Sequence, residues 1–587
     1  MTATLLAAAA VAALAGCSNS PFDDTGGESG HRFFDSILAH NLADGSLLTR
    51  PSVLAVDQGV HEEVPAEAGG AAGGLAGGRQ GLGAGAAGGK AGSGPAVIPP
   101  SHGVVKMSLR YAIEDAMAHN LSIKVRSYTP AVARAGVVAA KAFFDPALFG
   151  GVQYQHLDQP TPFPQTLGGA SLIGVNGEDQ VNSQVGLKDK LISGGELTLS
   201  GSDNYQDFRT SSGLPPDVNP SHTADFALSL KQPLLRGFGP DVAKEDIYIS
   251  ESNEAIARSI FRSEVIKIVA HVEETYLSLR EVAAEIGYRT ALIQRAKATL
   301  KRLSHRQGMD VDAVQLNQAR AAVDSAEFEL VAAQRQSAEL SESLKALLND
   351  SALPIGPGPA LVPTGELYAE PIAFDLRQDI GEGLLFRGVM QRDRRAIEKA
   401  GIREKVARNA LLPKADLVAS TDTAGLAPDG SFPGAFNRAF ASPHVGAAAG
   451  IQFEMPLGNR AAGAELARRQ LLRQQALTRL LRDGTNVARD VASRLLDLTS
   501  DWRQIAVARR RRSSAAAVLK GLKVEELSGQ RLTPTFLQLE LNAQQDLAAA
   551  QIAQAQAEAQ YEIDLVRFER AKGTLLEFRH IKIIGGE

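Results

Sequence analysis

Cysteine is nearly absent from this chain: Cys17 is the only one among 587 residues. A single sulfur excludes a disulfide framework and a thiolate metal cluster together. No hydrophobic run approaches the roughly 20 apolar residues of a transmembrane helix. A membrane crossing would therefore need a closed β-barrel, the other structure that satisfies its own backbone in lipid. Basic residues are not in excess, and a net charge of −5 argues against a nucleic-acid surface. Catalytic signatures are wanting as well. The 11 histidines are scattered, with no HxxxH pair to hold a metal, and neither a GxSxG elbow nor a P-loop occurs. The chain reads as neither an enzyme nor the holder of a metal or cofactor.

The lone cysteine follows the apolar segment "LLAAAAVAALAG". That segment is too short to span a bilayer and ends in small side chains, as a secretory signal does. Leu14-Ala15-Gly16-Cys17 resembles a bacterial lipobox, whose cysteine sulfur receives a diacylglyceryl group after export. Residues 1–16 are thus expected to be a signal peptide and Cys17 the lipidation site, although the "MT" start carries no Lys or Arg. Residues 17–103 follow as a Gly/Ala-rich tether whose composition cannot bury enough surface to offset its ordering entropy. Its literal GxGxxG, Gly83 to Gly88, has no strand before it and no helix after it, so it is not a dinucleotide fingerprint. A flexible tether of this length has an end-to-end distance on the order of 50 Å.

Periodicity begins at residue 104. Ile113, Met117 and Leu121 fall at helical spacing, and a second helical run from Ala133 to Phe144 stops at Pro146. The pattern then switches to period two, which marks strands over 147–232. Leu148, Val152 and Tyr154 alternate with Gln153 and Gln155, and Phe226, Leu228 and Leu230 alternate with Asp225, Ser229 and Lys231. Between them, 184–203 reads as a hairpin around Gly194-Gly195. After "QPLLRGFG" the pattern is helical from 241 to about 306, roughly 95 Å of helix, and after a break at "RQGMDVDAV" it runs back to 349. Leu316, Val323, Leu330 and Leu344 keep a seven-residue spacing interrupted by Ser337, a narrow coiled-coil seam. Residues 351–373 are a linker.

The second half, 374–573, repeats the first. A helix pair ends at Pro413, strands occupy 415–455, "MPL" stands where "QPL" stood, and a helical hairpin covers 461–572 around "LSGQRLTPT". Residues 574–587 form a tail. The strands of one chain cannot close a barrel, and the helical seams are too narrow for a globular core, so both halves of the pattern demand several chains.

Lipobox, helix pair, alternating strands and "QPLLRGFG" opening a long helical hairpin, all but the lipobox present twice, resemble the TolC-type outer-membrane efflux proteins over residues 104–573. The resemblance implies an α+β membrane protein made mostly of long α-helical coiled-coil hairpins plus transmembrane β-strands. Three chains would form a trimeric α-barrel and β-barrel with a girdle of short equatorial helices. It implies the outer-membrane channel of a tripartite efflux or type I secretion system, lipid-anchored in a Gram-negative-type bacterium. Such a channel is a passive exit duct for substrates delivered by an inner-membrane pump of RND or ABC type through a periplasmic adaptor. The adaptor would dock at the helix tips, here Gly308, Met309, Asp310 and Asp312 in the first repeat and Gly529, Gln530, Arg531 and Thr533 in the second. Pro233, Leu234, Pro456 and Leu457 match the strand-to-helix turns.

Several points depart from the family pattern or stay open. Thr535 and Gln538 stand where acidic residues are expected past the second tip. Asp310 and Asp312 would form rings of like charge in a threefold assembly, or serve as helix caps. The family has two strands per repeat, so the 184–203 hairpin either widens the barrel or folds outside it. Arg509 to Arg512 cannot all line one surface at 100° per residue and read mainly as solvated helix exterior. A structural coiled-coil lipoprotein or a periplasmic adaptor is the competing assignment; the first leaves the strands idle and the second carries one hairpin, not two.

Overall fold

A computed structural model describes residues 103–581, apart from 161–164, 168–169, 173–174, 211–217, 309–310, 357, 366–368, 442–443 and 528–532. The expected signal peptide, Cys17 and the tether lie outside the described residues. The chain divides into two units. One takes the described residues up to Ile123 with Val265–Leu384 and the part from Val487 onward; the other takes Lys124–Glu264 and Leu385–Asn486.

The second unit is organised by strands. β2 (Ala147–Pro160), β5 (Val175–Lys190), β6 (Glu196–Thr210), β7 (Ser221–Pro233), β9 (Lys414–Leu426) and β10 (Val445–Glu454) form one sheet in the order β10-β9-β7-β6-β5-β2. Every pairing is antiparallel. Short strands β3 (Gln165–Leu167) and β4 (Ala170–Leu172) pair with each other between β2 and β5. The open question about 184–203 is thereby answered for the sheet: β5 and β6 lie inside it, between β2 and β7. Their turn closes tightly, with Gly194 N donating to Leu191 O at 2.8 Å and Leu191 N to Gly195 O at 2.9 Å.

The helix pair before β2 differs from the sequence reading. α1 (Leu109–His119) ends at Asn120, and α2 (Leu121–Lys141) starts at once, twelve residues before the expected Ala133. Asn120 makes the break: its Oδ1 accepts from Ile123 N at 3.1 Å, and its Nδ2 donates to Leu347 O at 2.6 Å. Leu121, placed by spacing on the face of Ile113, is exposed. α2 also presents Val125, Tyr128 and Val132 to the outside, an apolar row at i, i+3, i+7. Two further elements were not anticipated. A short helix, α8 (Phe432–Ala441), interrupts the expected 415–455 strand region between β9 and β10. A turn at Lys244 separates α3 (Pro240–Ala243) from α4 (Glu245–His305).

The other unit packs the far parts of α4 and α9 (Arg460–Leu527) with α5 (Ala313–Leu348) and α10 (Pro534–Lys572). Leu316, Val323 and Leu344 of the heptad seam are buried, as a coiled-coil contact requires. The 351–373 segment, expected to be a linker, carries β8 (Ala360–Pro363), which pairs in parallel with β1 (Val104–Met107). Tyr276 of α4 pins this pair, its hydroxyl lying 2.8 Å from Thr364 O and 3.0 Å from Met107 O, the two carbonyls sharing its single proton. α6 (Leu376–Phe386) is tied to α10 by the buried Lys572, which reaches Asp379 at 3.3 Å, Glu382 at 3.2 Å and Glu569 at 3.0 Å. α7 (Gly388–Asn409) completes the second helix pair, and α11 (Leu575–Phe578) buries Leu575 and Leu576 beyond α10.

A carboxylate pair sits in this packed region. Burial, together with a hydrogen bond to and the charge of Asp564, pushes the Asp501 carboxyl from 3.8 up to about 7. The fold therefore favours its protonated form. That contribution is fully present below the unfolded value and is lost as pH rises through about 7. Asp501→Asn removes the titration. The variant's thermal midpoint should match wild type near pH 4 and exceed it at about pH 8, with a flatter profile between; a thermal scan across that range checks it.

Candidate functional site

The sheet carries a pattern opposite to that of a soluble sheet. Registers align Leu148, Leu187, Leu199, Leu228, Thr421 and Ala447 in one row across all six strands. Val185, Phe226 and Val445 lie on the same face in the next row. This apolar face is open: Leu148 is 78% exposed, Val152 77% and Ile451 67%. The opposite face is polar, with rows such as Gln153–Asn182–Asn204–Thr223 and Gln184–Ser202–Asp225. Gln180 Nε2 donates to Asn204 Oδ1 across it at 2.9 Å. Water repels the first face and welcomes the second.

Both ends of the apolar face are bounded. Toward the longer connections the same face turns aromatic and charged. Tyr154 Oη donates to Asp179 at 2.8 Å, His156 Nδ1 lies 2.6 Å from the same carboxylate, and Arg209 pairs with it as well. His222 meets Asp203 at 2.9 Å and stacks near Tyr205. At the other end Phe453, Met455 and Leu457 are exposed. The connections are equally asymmetric: a tight turn at 191–195 at one end, and longer ones at 161–174, 211–220 and 427–444 at the other. Strands of 10 to 16 residues meet or exceed the roughly 9–11 that cross a bilayer. Among the described residues the outermost strands, β2 and β10, each have one neighbouring strand.

The strand-to-helix turns anchor the sheet to its own unit. At the first turn, Pro233 closes β7, Leu234 N donates to Ala415 O at 2.7 Å, and Gly237 N donates to Asn409 Oδ1 at 2.7 Å. At the second, Pro456 and Leu457 follow β10, Leu457 is exposed, and Asn459 Nδ2 donates to Leu411 O at 3.0 Å.

The two hairpin tips, separated by more than 200 residues, are brought into one cluster. Leu303, Val311 and Leu316 pack with Phe536, Leu537 and Leu541. Gly308 has φ +82, the conformation expected of a helix reversal. Asp312 caps α5: Oδ1 accepts from Gln315 N at 2.8 Å, while Asp312 N donates to Gln315 Oε1 at 3.0 Å, a capping box. Thr533 caps α10, accepting from Phe536 N at 3.2 Å. Met309, Asp310, Gly529, Gln530 and Arg531 lie outside the described residues. Sequence reasoning missed the polar network behind the tips. Arg302 reaches Glu526 and Glu540, and the buried Glu540 also accepts from Thr299 at 3.1 Å and Gln544 at 3.0 Å. These five residues come from three helices, and no local spacing announces them.

Other sequence candidates separate. Arg509 pairs with Glu558 at 3.0 Å, while Arg511 lines an open groove of about 590 Å³ with Leu496 and Val507 of α9 and Ala553 and Ala557 of α10. Arg510 and Arg512 are exposed, so the cluster splays as helical geometry requires. Thr535 and Gln538 are exposed on α10, Gln538 donating to Asn542 at 2.8 Å. Where the sequence showed no paired metal ligands, α1 brings Asp115 and His119 together with Asp350 within 4.8 Å. His119 is exposed, and its Nδ1 lies 2.8 Å from Oδ1 of the buried Asp115 one turn away on the same helix.

No family model and no curated protein sequence matches this chain. Solved structures do. The outer-membrane channel OprN is similar over 79% of this chain and 89% of its own, with a TM-score of 0.54 at 14% identity. The open state of the Neisseria gonorrhoeae MtrE outer membrane channel covers 80% and 89% at a TM-score of 0.54 and 15% identity. The Vibrio cholerae outer membrane protein VceC covers 79% and 96% at 0.51 and 16%. At such identity the similarity lies in the backbone, and the chain has the fold of the TolC-type outer-membrane efflux channels.

Proposed function

We propose that this chain is an outer-membrane channel, a passive exit duct with the sheet as its membrane wall. The observation that carries the reading is a six-stranded antiparallel sheet whose apolar face is uncovered apart from the seat of one short helix on β7 and β9, whose other face is polar, and whose two outermost strands pair on one side only among the described residues. In water that arrangement exposes apolar area worth about 25 cal/mol per Å². In lipid the apolar face is satisfied, but open edges leave unpaired backbone groups costing several kcal/mol each. Closure with other copies removes both costs. Three copies, edge to edge, make eighteen strands from the six of each chain, a size at which barrels hold an aqueous lumen. The polar rows then face that lumen.

The remaining assignments extend this reading. Cys17 carries the lipid, palmitate included, that tethers each chain to the outer membrane, after removal of residues 1–16. The helical hairpins of the two tandem repeats line a periplasmic conduit as an α-barrel, supported by the exposed apolar row on α2. A periplasmic adaptor docks at the tips around Gly308 to Asp312 and Gly529 to Thr533 and connects the duct to an inner-membrane pump of RND or ABC type. The pump supplies the energy; no bond is made or broken here. A coiled-coil spacer lipoprotein has no use for a sheet with this facial pattern.

Purified protein in planar bilayers should give discrete, voltage-stable conductance steps, and a preparation that stays silent would sink the channel reading. Cysteines placed on β2 and β10, in pairs scanning Val152 and Tyr154 against Ala447 and Ala449, should oxidise into ladders ending at three chains on non-reducing gels. A ladder running past three would show that the ring is larger. Labelled palmitate should enter the wild-type chain in cells and be lost in Cys17→Ser; equal labelling of both would remove the anchor.

A further inference from the structure

The connection between β9 and β10 is neither a bare loop nor a plug. α8 lies flat against the apolar face of the sheet. Ala435 and Ala439 are fully buried with Ala224 and Ala427. Contact is backbone to backbone: a Cβ on Gly425 would stand 2.2 Å from Ala435 O and 2.3 Å from Ala439 N. Phe226 of the wall meets the Phe436 ring at 5.2 Å and the Phe440 ring at 4.4 Å. Despite this seating, Phe432, Phe436 and Phe440 remain 46%, 40% and 67% exposed. They recur every fourth residue and so form one stripe, while Asn437 and Arg438 turn to solvent on another side.

The position of this stripe says what covers it. α8 belongs to the end with the longer connections, where the apolar rows give way to the Asp179–His156–Arg209 and Asp203–His222 groups; His222 lies 6.0 Å from the Phe432 ring. It packs on β7 and β9, both of which already have a strand on each side. Edge pairing with another chain therefore leaves α8 on the open face. An apolar row continuous with a hydrocarbon-facing wall, at the level where charge begins, with a cation beside it, has the character of an interfacial helix.

Resting on the membrane-wall reading above, we propose that α8 is a lipid-interface helix that seats Phe432, Phe436 and Phe440 at the headgroup–acyl boundary of the leaflet on the long-connection side. Seating the three rings there withdraws their exposed apolar surface from water, and Arg438 is left among the phosphates. The helix would fix the depth of the wall in the bilayer.

Tryptophan fluorescence tests it, because Trp502 is the chain's only tryptophan. In a Trp502→Phe background, Phe440→Trp, and separately Phe436→Trp, is compared with the wall position Ile451→Trp in phosphatidylcholine vesicles. The lipids carry bromine either near the headgroup or deep in the acyl chain. The expected result is blue-shifted emission from both helix positions, mostly lost to shallow bromine and little affected by deep bromine, with Ile451→Trp quenched more by the deep label. Water-like emission at 436 and 440 with Ile451→Trp quenched overturns the proposal while sparing the wall. Blue-shifted but unquenched emission at 436 and 440 means a neighbouring protein covers the stripe and overturns it too. Loss of quenching at all three positions overturns the wall reading itself.

Discussion

Backbone hydrogen bonding at the two edges of one sheet is the constraint on which this protein's design depends. β2 and β10 each carry a row of donors and acceptors with no strand partner among the described residues, and a soluble protein normally masks such edges with charge, proline or a covering element. Here the edge strands are long and their apolar side is uncovered. The same residues that make the isolated sheet unfavourable in water make it favourable once lipid meets one face and further strands meet the edges. On the channel proposal, assembly is then a condition of stability.

The helical unit meets a related demand by different means. Its hairpins bury narrow seams, Leu316, Val323 and Leu344 among them, and leave other faces open. The tips are drawn into one apolar cluster backed by Arg302, Glu526 and Glu540. Glu540 is 3% exposed, and Thr299, Arg302 and Gln544 all converge on its Oε1, while its buried Oε2 has no hydrogen-bond partner among the described residues, so the Arg302 charge is what holds the carboxylate there. Removing one partner from such a set costs far more than breaking an exposed, solvent-screened pair such as Arg110–Glu114. Asp312, by contrast, spends its carboxylate on capping α5.

Periodicity carried most of the secondary structure. Alternation at Leu148–Val152 and Phe226–Leu230 placed two strands on the correct face, and the "SGG" turn gave the inserted hairpin, because side-chain direction in a strand is a local property. The long helices were legible for the same reason, and Gly308 and Asp312 marked a reversal by local backbone chemistry. What failed locally was short or dependent on distant partners. Asn120 splits α1 from α2 through a bond to Leu347, 227 residues away. β8 is a four-residue strand defined only by its neighbour β1. α8 is ten residues long, too brief for a period to stand out, although the fourfold spacing of its phenylalanines was available as a signal.

By itself the sequence determined the absence of a helical span, the strand faces, the helical hairpins and their reversals, since each follows from composition or from side-chain direction over a few residues. Only the tertiary structure decided that the extra hairpin lies inside the sheet, that one apolar face runs unbroken across all six strands, and that residues 302, 526 and 540 meet. Those outcomes depend on register and on contacts between segments far apart in the chain, and no local pattern encodes which row of one strand stands beside which row of the next.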